Sequence, residues 1–232
     1  IAEGKIWGRG ASDTKGTFAI QLYTPIILKN AGLLPKGDIV VAGVVSEEIA
    51  GFGSMMQVRD NFKLTDYCII GEATENDIAI GCRGRCCVVV TIKGKSCHAS
   101  VPHEGKNPFD LLGKFLLELK TVEMAKDSLF GESTMSPTSI ASSEKGTNII
   151  PNEIVLYLDY RQVGDDTEEN VLKKIQAVVD RCAVDGITVD LKTLYFPLTT
   201  YTGYQGQAFQ GEPPFRVDVN EDYIQLALKT LE

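Results

Sequence analysis

Three acidic positions carry the chemistry most readable in this sequence. Asp13 lies in Gly8-Arg9-Gly10-Ala11-Ser12-Asp13-Thr14-Lys15-Gly16, a glycine-punctuated turn running into a helical pattern. Glu47-Glu48 come just after an apolar run ending at Val45, and Glu72 follows another ending at Gly71. In open α/β sheets, ligands bind beyond the carboxyl ends of strands. Carboxylate oxygens bind divalent metals, and a bridging carboxylate suits a two-metal site with ions ~3.5–4 Å apart. An adjacent Glu pair offers one ligand and one free base. Each position alone has a plainer reading. Asp13 is then a helix cap, Glu47-Glu48 a solvated loop pair, and Glu72 an ordinary residue after a strand. The conjunction in one small region is the more informative observation. Only two histidines are present, His98 and His103, so a histidine-rich metal site cannot be built from this chain.

The elements that must position these residues alternate. Thr14 to Ala31 places Phe18, Leu22 and Ile26, with Tyr23 and Ile27 beside them, at helical spacing, and Gly32 suits the stop. Asp38–Val45 is a continuous apolar run, as expected of a strand buried on both faces. A helix is expected near Gly53 and a short buried strand at Tyr67–Gly71. This rhythm predicts an α/β fold with a mostly parallel sheet covered on both sides.

The middle of the chain has another rhythm. Arg85–Lys93 reads as a strand, with Cys86, Val88, Val90 and Ile92 on one face. Asn107-Pro108 is a helix start, and Phe109, Leu112, Leu116 and Leu119 form its expected stripe. Ser136–Ser143 and Glu153–Gln162 read as strands. Asp166 with Glu169 is an expected cap for a second helix with the stripe Val171, Ile175, Val178, Val179 and Cys182. Ile187–Phe196 closes as a strand. The order β-α-β-β-α-β is ferredoxin-like. From Pro197 the chain is rich in Gly, Pro, Tyr and Gln before a helical pattern at Glu221–Leu231. The expected layout is an α/β domain from 1–82 and 197–232, interrupted by a ferredoxin-like insertion at 83–196.

Composition narrows the function classes. The 232 residues hold 23 Lys and Arg against 31 Asp and Glu, a net charge of −8. Phosphate binding needs clustered basic residues, so nucleic acid is not an expected partner. No apolar run reaches the length of a membrane span. Six cysteines without a CxxC pair are expected to be buried or half-buried free thiols, in a reducing compartment such as the cytoplasm.

Five segments in order resemble a known family. They are GRGASDTKG, VVSEEIAGFGS, IIGEAT, KGKSCHASVPHEGKNPFD and GTNIIPNE followed by LDYR. Together they resemble the dinuclear-zinc aminoacylase/carboxypeptidase metallopeptidases, which include acetylornithine deacetylase and succinyl-diaminopimelate desuccinylase. The likeness runs over roughly residues 4 to 162. It implies a zinc-peptidase-like α/β domain carrying a ferredoxin-like lid that dimerises. It also implies two zinc ions, with cobalt or manganese as substitutes. Asp13 matches the bridging carboxylate, Glu48 a ligand of one zinc and Glu72 a ligand of the other. Glu47 matches the general base acting on the metal-bridging water. His98 matches the lid histidine that stabilises the oxyanion, reaching a partner's site in dimeric members. Asn148 matches a second polar contact, and Arg161 a residue that binds the substrate carboxylate. The implied substrate is an N-acyl amino acid or short peptide.

The plainer readings stay beside these. His98 could be a structural hydrogen-bonder, Asn148 a turn residue, and Arg161 an ion-pair partner of Asp159. His103 has no matching role. The family's two zinc histidines match nothing here, so the chain as given is expected to be a fragment, to bind zinc weakly and to be inactive. The alternative is a non-catalytic pseudo-enzyme or dimerisation module of the same fold. Two-carboxylate glycoside hydrolysis through Glu47 and Glu72 ranks last, because it leaves Asp13 and His98 unexplained.

Overall fold

The structure, a computed structural model, describes residues 1–48, 51–59 and 65–231. It divides into two compact units, residues 1–80 with 218–232, and residues 81–217. Among the described residues no helix is long and apolar enough to cross a membrane.

In the first unit, helix α1 spans Lys15–Asn30 and ends where Gly32, at φ +72°, takes the left-handed conformation that glycine adopts without strain. Helix α2 spans Phe52–Arg59, close to its expected start. A further helix covers Asp222–Lys229. The runs 38–45 and 67–71 lie against α1 and this last helix. The Phe18 ring sits where a Cβ on Gly43 would be, Gln21 donates to the Ile69 carbonyl at 3.2 Å, and the Tyr67 and Tyr223 rings lie 5.1 Å apart.

These two runs depart from expectation in one respect. Among the described residues neither forms a strand ladder, and both are open to solvent, Ile69 at 87% and Val45 at 69% exposed. Their apolar sequence marks them for burial, but no neighbouring strand among these residues supplies the partner that a buried strand needs. Likewise α1 forms as expected but buries none of its residues.

The second unit is built around a five-stranded antiparallel sheet. Its strands include β1 (Gly84–Lys93), β2 (Thr134–Ser142), β3 (Glu153–Gln162) and β4 (Thr188–Thr193). They pair in the order β4-β1-β3-β2, the ferredoxin-like arrangement expected from the sequence. Helices α3 (Pro108–Glu118) and α4 (Glu168–Arg181) pack on one face. Cys86, Val88, Val90 and Ile92 of β1 join Ile154, Leu156, Leu158 and Tyr160 of β3 in the core with them. The period of two puts alternate residues of a strand on this face. The α4 stripe is the predicted one, with Val171, Ile175, Val178 and Val179 buried and Cys182 just beyond the helix.

Four details differ. Asn107 caps α3, its side-chain oxygen accepting from the Phe109 N–H at 3.1 Å. The buried face of α3, however, is Leu111, Leu112, Phe115 and Leu119, while Phe109 is 47% exposed. The α4 cap is Thr167, which accepts from Asn170 N–H, and Asp166 is instead buried. Residues 197–212, read from composition as part of the first domain, pair inside this unit. Strand β5 (Tyr195–Thr199) and β6 (Gln205–Phe209) form a hairpin, and β7 (Gly211–Glu212) returns to extend the β4 edge of β1. All six cysteines are free, but Cys68 and Cys82 are exposed rather than covered.

Candidate active site

The acidic positions of the first unit all sit on loops and are exposed. Asp13 ends a tight turn in which Ala11 N–H donates to Gly8 O and Lys15 N–H to Gly10 O. The residue capping α1 is Thr14, without a side-chain cap bond. Asp13 therefore does not cap the helix, and its carboxylate makes no hydrogen bond among the described residues. Glu47 and Glu48 lie on a loop that folds back onto the start of α2. Gly51 N–H donates to Glu47 O, Phe52 N–H to Ser46 O, and Gly53 N–H to Val45 O. Gly53 is required there, because a Cβ would stand 2.5 Å from the Val45 carbonyl oxygen. Residues 49 and 50 of this motif lie outside the described residues. Glu72 accepts the Ala73 N–H at 2.8 Å.

Asp13, Glu48 and Glu72 have the right donor chemistry for a zinc ion, since carboxylate oxygens are established zinc ligands. Their placement does not make a metal site. Among the described residues no three His, Cys, Asp or Glu side chains come together to hold an ion.

The second unit fixes its site residues more tightly. The segment carrying His98 leaves β1 at Gly94, whose N–H donates to Asn152 O at 2.8 Å. Its base is closed by a reciprocal pair of 2.9 Å bonds between Lys95 and Lys106. Close approach at this base demands glycine at 94, where a Cβ would meet the Lys106 carbonyl oxygen. Within the loop, Cys97 and His98 pair with Ile150 and Ile149. Ala99 N–H then donates to the Asn148 carbonyl at 2.9 Å. The structure thus brings the backbones of His98 and Asn148 close, His98 on the ladder and Asn148 in the turn just before it, although 50 positions separate them in sequence. His98 is exposed, and its Nδ1 lies 2.8 Å from Ser100 Oγ and 3.2 Å from Ser100 N.

Arg161 stands on β3 opposite Arg85 on β1. Its Nε donates to Asp159 Oδ1 at 2.7 Å, and Arg85 Nε donates to Asp159 Oδ2 at 2.9 Å. The ion pair with Asp159 is therefore made, and it holds two guanidinium groups on one carboxylate. Arg161 Nη2 also reaches Asp159 Oδ2 at 3.4 Å; among the described residues Asp159 is the only side-chain hydrogen-bond partner of either guanidinium, so both keep terminal N–H donors free. Sequence reading missed Arg85 and Ser100. The register partner of Arg161 was not derivable before strand pairing was known. Ser100, two residues after His98, is a spacing that a local side-chain turn would have suggested.

A family model described as "Peptidase dimerisation domain" matches residues 80–186. A Peptidase M20 domain-containing protein of Schizosaccharomyces pombe is 31% identical over 185 residues, covering 74% of this chain and 46% of that protein. A probable succinyl-diaminopimelate desuccinylase of Staphylococcus epidermidis is 27% identical over 226 residues, covering 85% of this chain and 56% of its own length. The chain spans about half the length of the curated relatives it matches. Among solved structures, an aminopeptidase PepT from Bacillus cereus aligns over 99% of this chain and 57% of its own, with a TM-score of 0.67 and 16% identity. At that identity the likeness is one of fold.

Proposed function

We propose, starting from this chain's membership of the M20 peptidase family, that the protein hydrolyses an amide bond in a substrate bearing a carboxylate. The substrate class is an N-acyl amino acid or a short peptide. Glu47 is the general base that takes a proton from the attacking water, and His98 donates to the oxygen of the tetrahedral intermediate. Asn148 adds a second polar contact. Arg161 binds the substrate carboxylate through the donors that Asp159 leaves free, since planar guanidinium donors match two carboxylate oxygens. Asp13, Glu48 and Glu72 are assigned as ligands of zinc, which would lower the pKa of a bound water and polarise the scissile carbonyl. No step is assigned through zinc, because these carboxylates are not gathered as they stand. The catalytic part is residues 1–82 with the terminal helix, and the ferredoxin-like unit is the lid through which two copies pair. The exposed Cys68 and Cys82 thiols favour a reducing compartment such as the cytoplasm.

The observation that carries the reading is the loop, closed at its base by Lys95 and Lys106, whose short ladder and Ala99–Asn148 bond bring the backbones of His98 and Asn148 close. Polar groups that act on a developing charge need this kind of prior placement. The test, run on the whole protein rather than on these 232 residues alone, compares hydrolysis of N-acetyl and N-succinyl amino acids with that of the same amides blocked as carboxamides, with zinc supplied. The reading predicts turnover of the free acids and at least a tenfold loss on blocking. Equal rates would remove Arg161 from substrate binding, and no turnover of either set would remove the hydrolase assignment.

A further inference from the structure

Ser100 makes two contacts to a single nitrogen of His98, and one of them has only one chemical meaning. A backbone N–H can donate and cannot accept. Ser100 N–H points at His98 Nδ1 from 3.2 Å, so Nδ1 must offer a lone pair. In a neutral imidazole the proton then resides on Nε2. The Ser100 hydroxyl, 2.8 Å from the same nitrogen, can rotate to donate as well. His98 Nε2 has no hydrogen-bond partner among the described residues, and the side chain is exposed.

We propose that Ser100 is a positioning residue that holds His98 in its Nε2–H tautomer, with that N–H presented outward as a donor. The proposal rests on the assignment of His98 as the oxyanion donor and supplies what that role requires. A histidine with its proton on Nδ1 would turn a lone pair toward the negative oxygen and repel it. The tautomer is thus set before substrate arrives, and no proton need move for the donor to be ready. The surrounding loop supports the cradle. Val101 N–H donates to His98 O at 3.0 Å, closing a turn that fixes Ser100 beneath the ring. The Cys97-His98 pairing with Ile150 and Ile149 fixes the ring's backbone.

With only His98 and His103 in the chain, His103→Gln leaves one imidazole to observe. In that ¹⁵N-labelled chain, long-range proton–nitrogen correlations should place the His98 proton on Nε2 and leave Nδ1 bare. Ser100→Ala keeps the backbone donor and loses the hydroxyl. Nδ1 should stay bare while its resonance moves toward that of a free imidazole. Ser100→Pro removes both donors, so the resonance should move further and the Nδ1–H form should appear. A proton on Nδ1 in the parent chain, or an Nδ1 resonance unmoved in both variants, would overturn the cradle. In the whole protein, Ser100→Pro, which lets the Nδ1–H form appear, should lower kcat by roughly tenfold and leave KM unchanged, as for a donor that acts in the transition state, and Ser100→Ala, which keeps Nδ1 bare, should lower it less. His98→Ala separates the two ideas. Unchanged kcat there, with the tautomer result intact, sinks the catalytic reading of His98 and not the cradle.

Discussion

Replacing Asp166 should cost the ferredoxin-like unit a large share of its stability. Its side chain is buried and accepts three hydrogen bonds: from Tyr160 hydroxyl at 2.6 Å, Ser133 hydroxyl at 3.0 Å and Lys174 ammonium at 2.8 Å. Its backbone oxygen accepts a fourth from Gln162. In Asp166→Ala the partners fare differently. The Lys174 side chain is 28% exposed and opens on a hollow of about 510 Å³, so its ammonium regains water. Tyr160 is 0% and Ser133 2% exposed, so both buried hydroxyls lose the carboxylate that accepts from them. Each orphaned group costs about 1–3 kcal/mol, and loss of the ion pair adds to this. A total of about 3–5 kcal/mol follows, against the roughly 5–15 kcal/mol that holds a whole domain. Asp166→Asn keeps an acceptor for Tyr160 and should cost about half as much. Guanidinium unfolding followed by circular dichroism reads both values. A loss under about 1 kcal/mol in Asp166→Ala would refute the reasoning, because two buried hydroxyls cannot be orphaned so cheaply.

Two further outcomes follow from the same unit. Burial works against the charged form of Lys174, but its bonds to Asp166 and Tyr160 outweigh this and hold its pKa above the ordinary 10.5. Burial, then the bond to Asp166, raises that of Tyr160 above 10.0. Both contributions are complete below the ordinary values and are lost as pH rises through the raised ones. Stability measured between pH 9 and 12 should therefore fall, and should fall less steeply in Tyr160→Phe. Equal slopes would count against the network. Among the cysteines, burial first and Glu168 second push the Cys86 thiol up to about 12, and Cys87 and Cys182 are also buried. A thiol reagent at neutral pH should label Cys68 and Cys82 in the native chain and reach Cys86, Cys87 and Cys182 only after denaturant. Rapid native labelling of Cys86 would contradict the packed core.

What was legible in the sequence was what local physics decides. The β3 alternation, the Asn107-Pro108 start and the α4 stripe each depend on spacing along one element, and the structure keeps them; β1 forms where expected, with Cys87 and Val89 on its second face buried as well. The β-α-β-β-α-β order then left few ways to close a sheet. Competition between neighbours was less legible. Helix α3 reads PFDLLGKFLLE, apolar on so many positions that several stripes fit, and packing selected Leu111 and Phe115 over Phe109. Asp166 and Thr167 are both good caps, and the buried acceptor needed by Tyr160 took Asp166. The β5–β6 hairpin begins at the end of the run read as one strand, Ile187–Phe196, and continues into a stretch rich in Gly, Pro and Tyr, so its start, just after Leu194 N–H donates to Cys87 O, carried no local signal. For the site, motif order named the residues. Spacing could not show that Asn148 lies beside His98, or that Asp159 ties Arg161 to Arg85, since both depend on strand register.

The central claim is that Glu47 serves as the base of an amide hydrolysis. Its most direct test is the turnover of an N-acyl amino acid by the zinc-supplied whole protein and by its Glu47→Gln form at equal concentration. Gln keeps the shape of the side chain and cannot take the proton. The account predicts that kcat falls by about 10²–10⁴-fold, the usual contribution of a positioned base, while KM changes little. Equal kcat in the two proteins would contradict it.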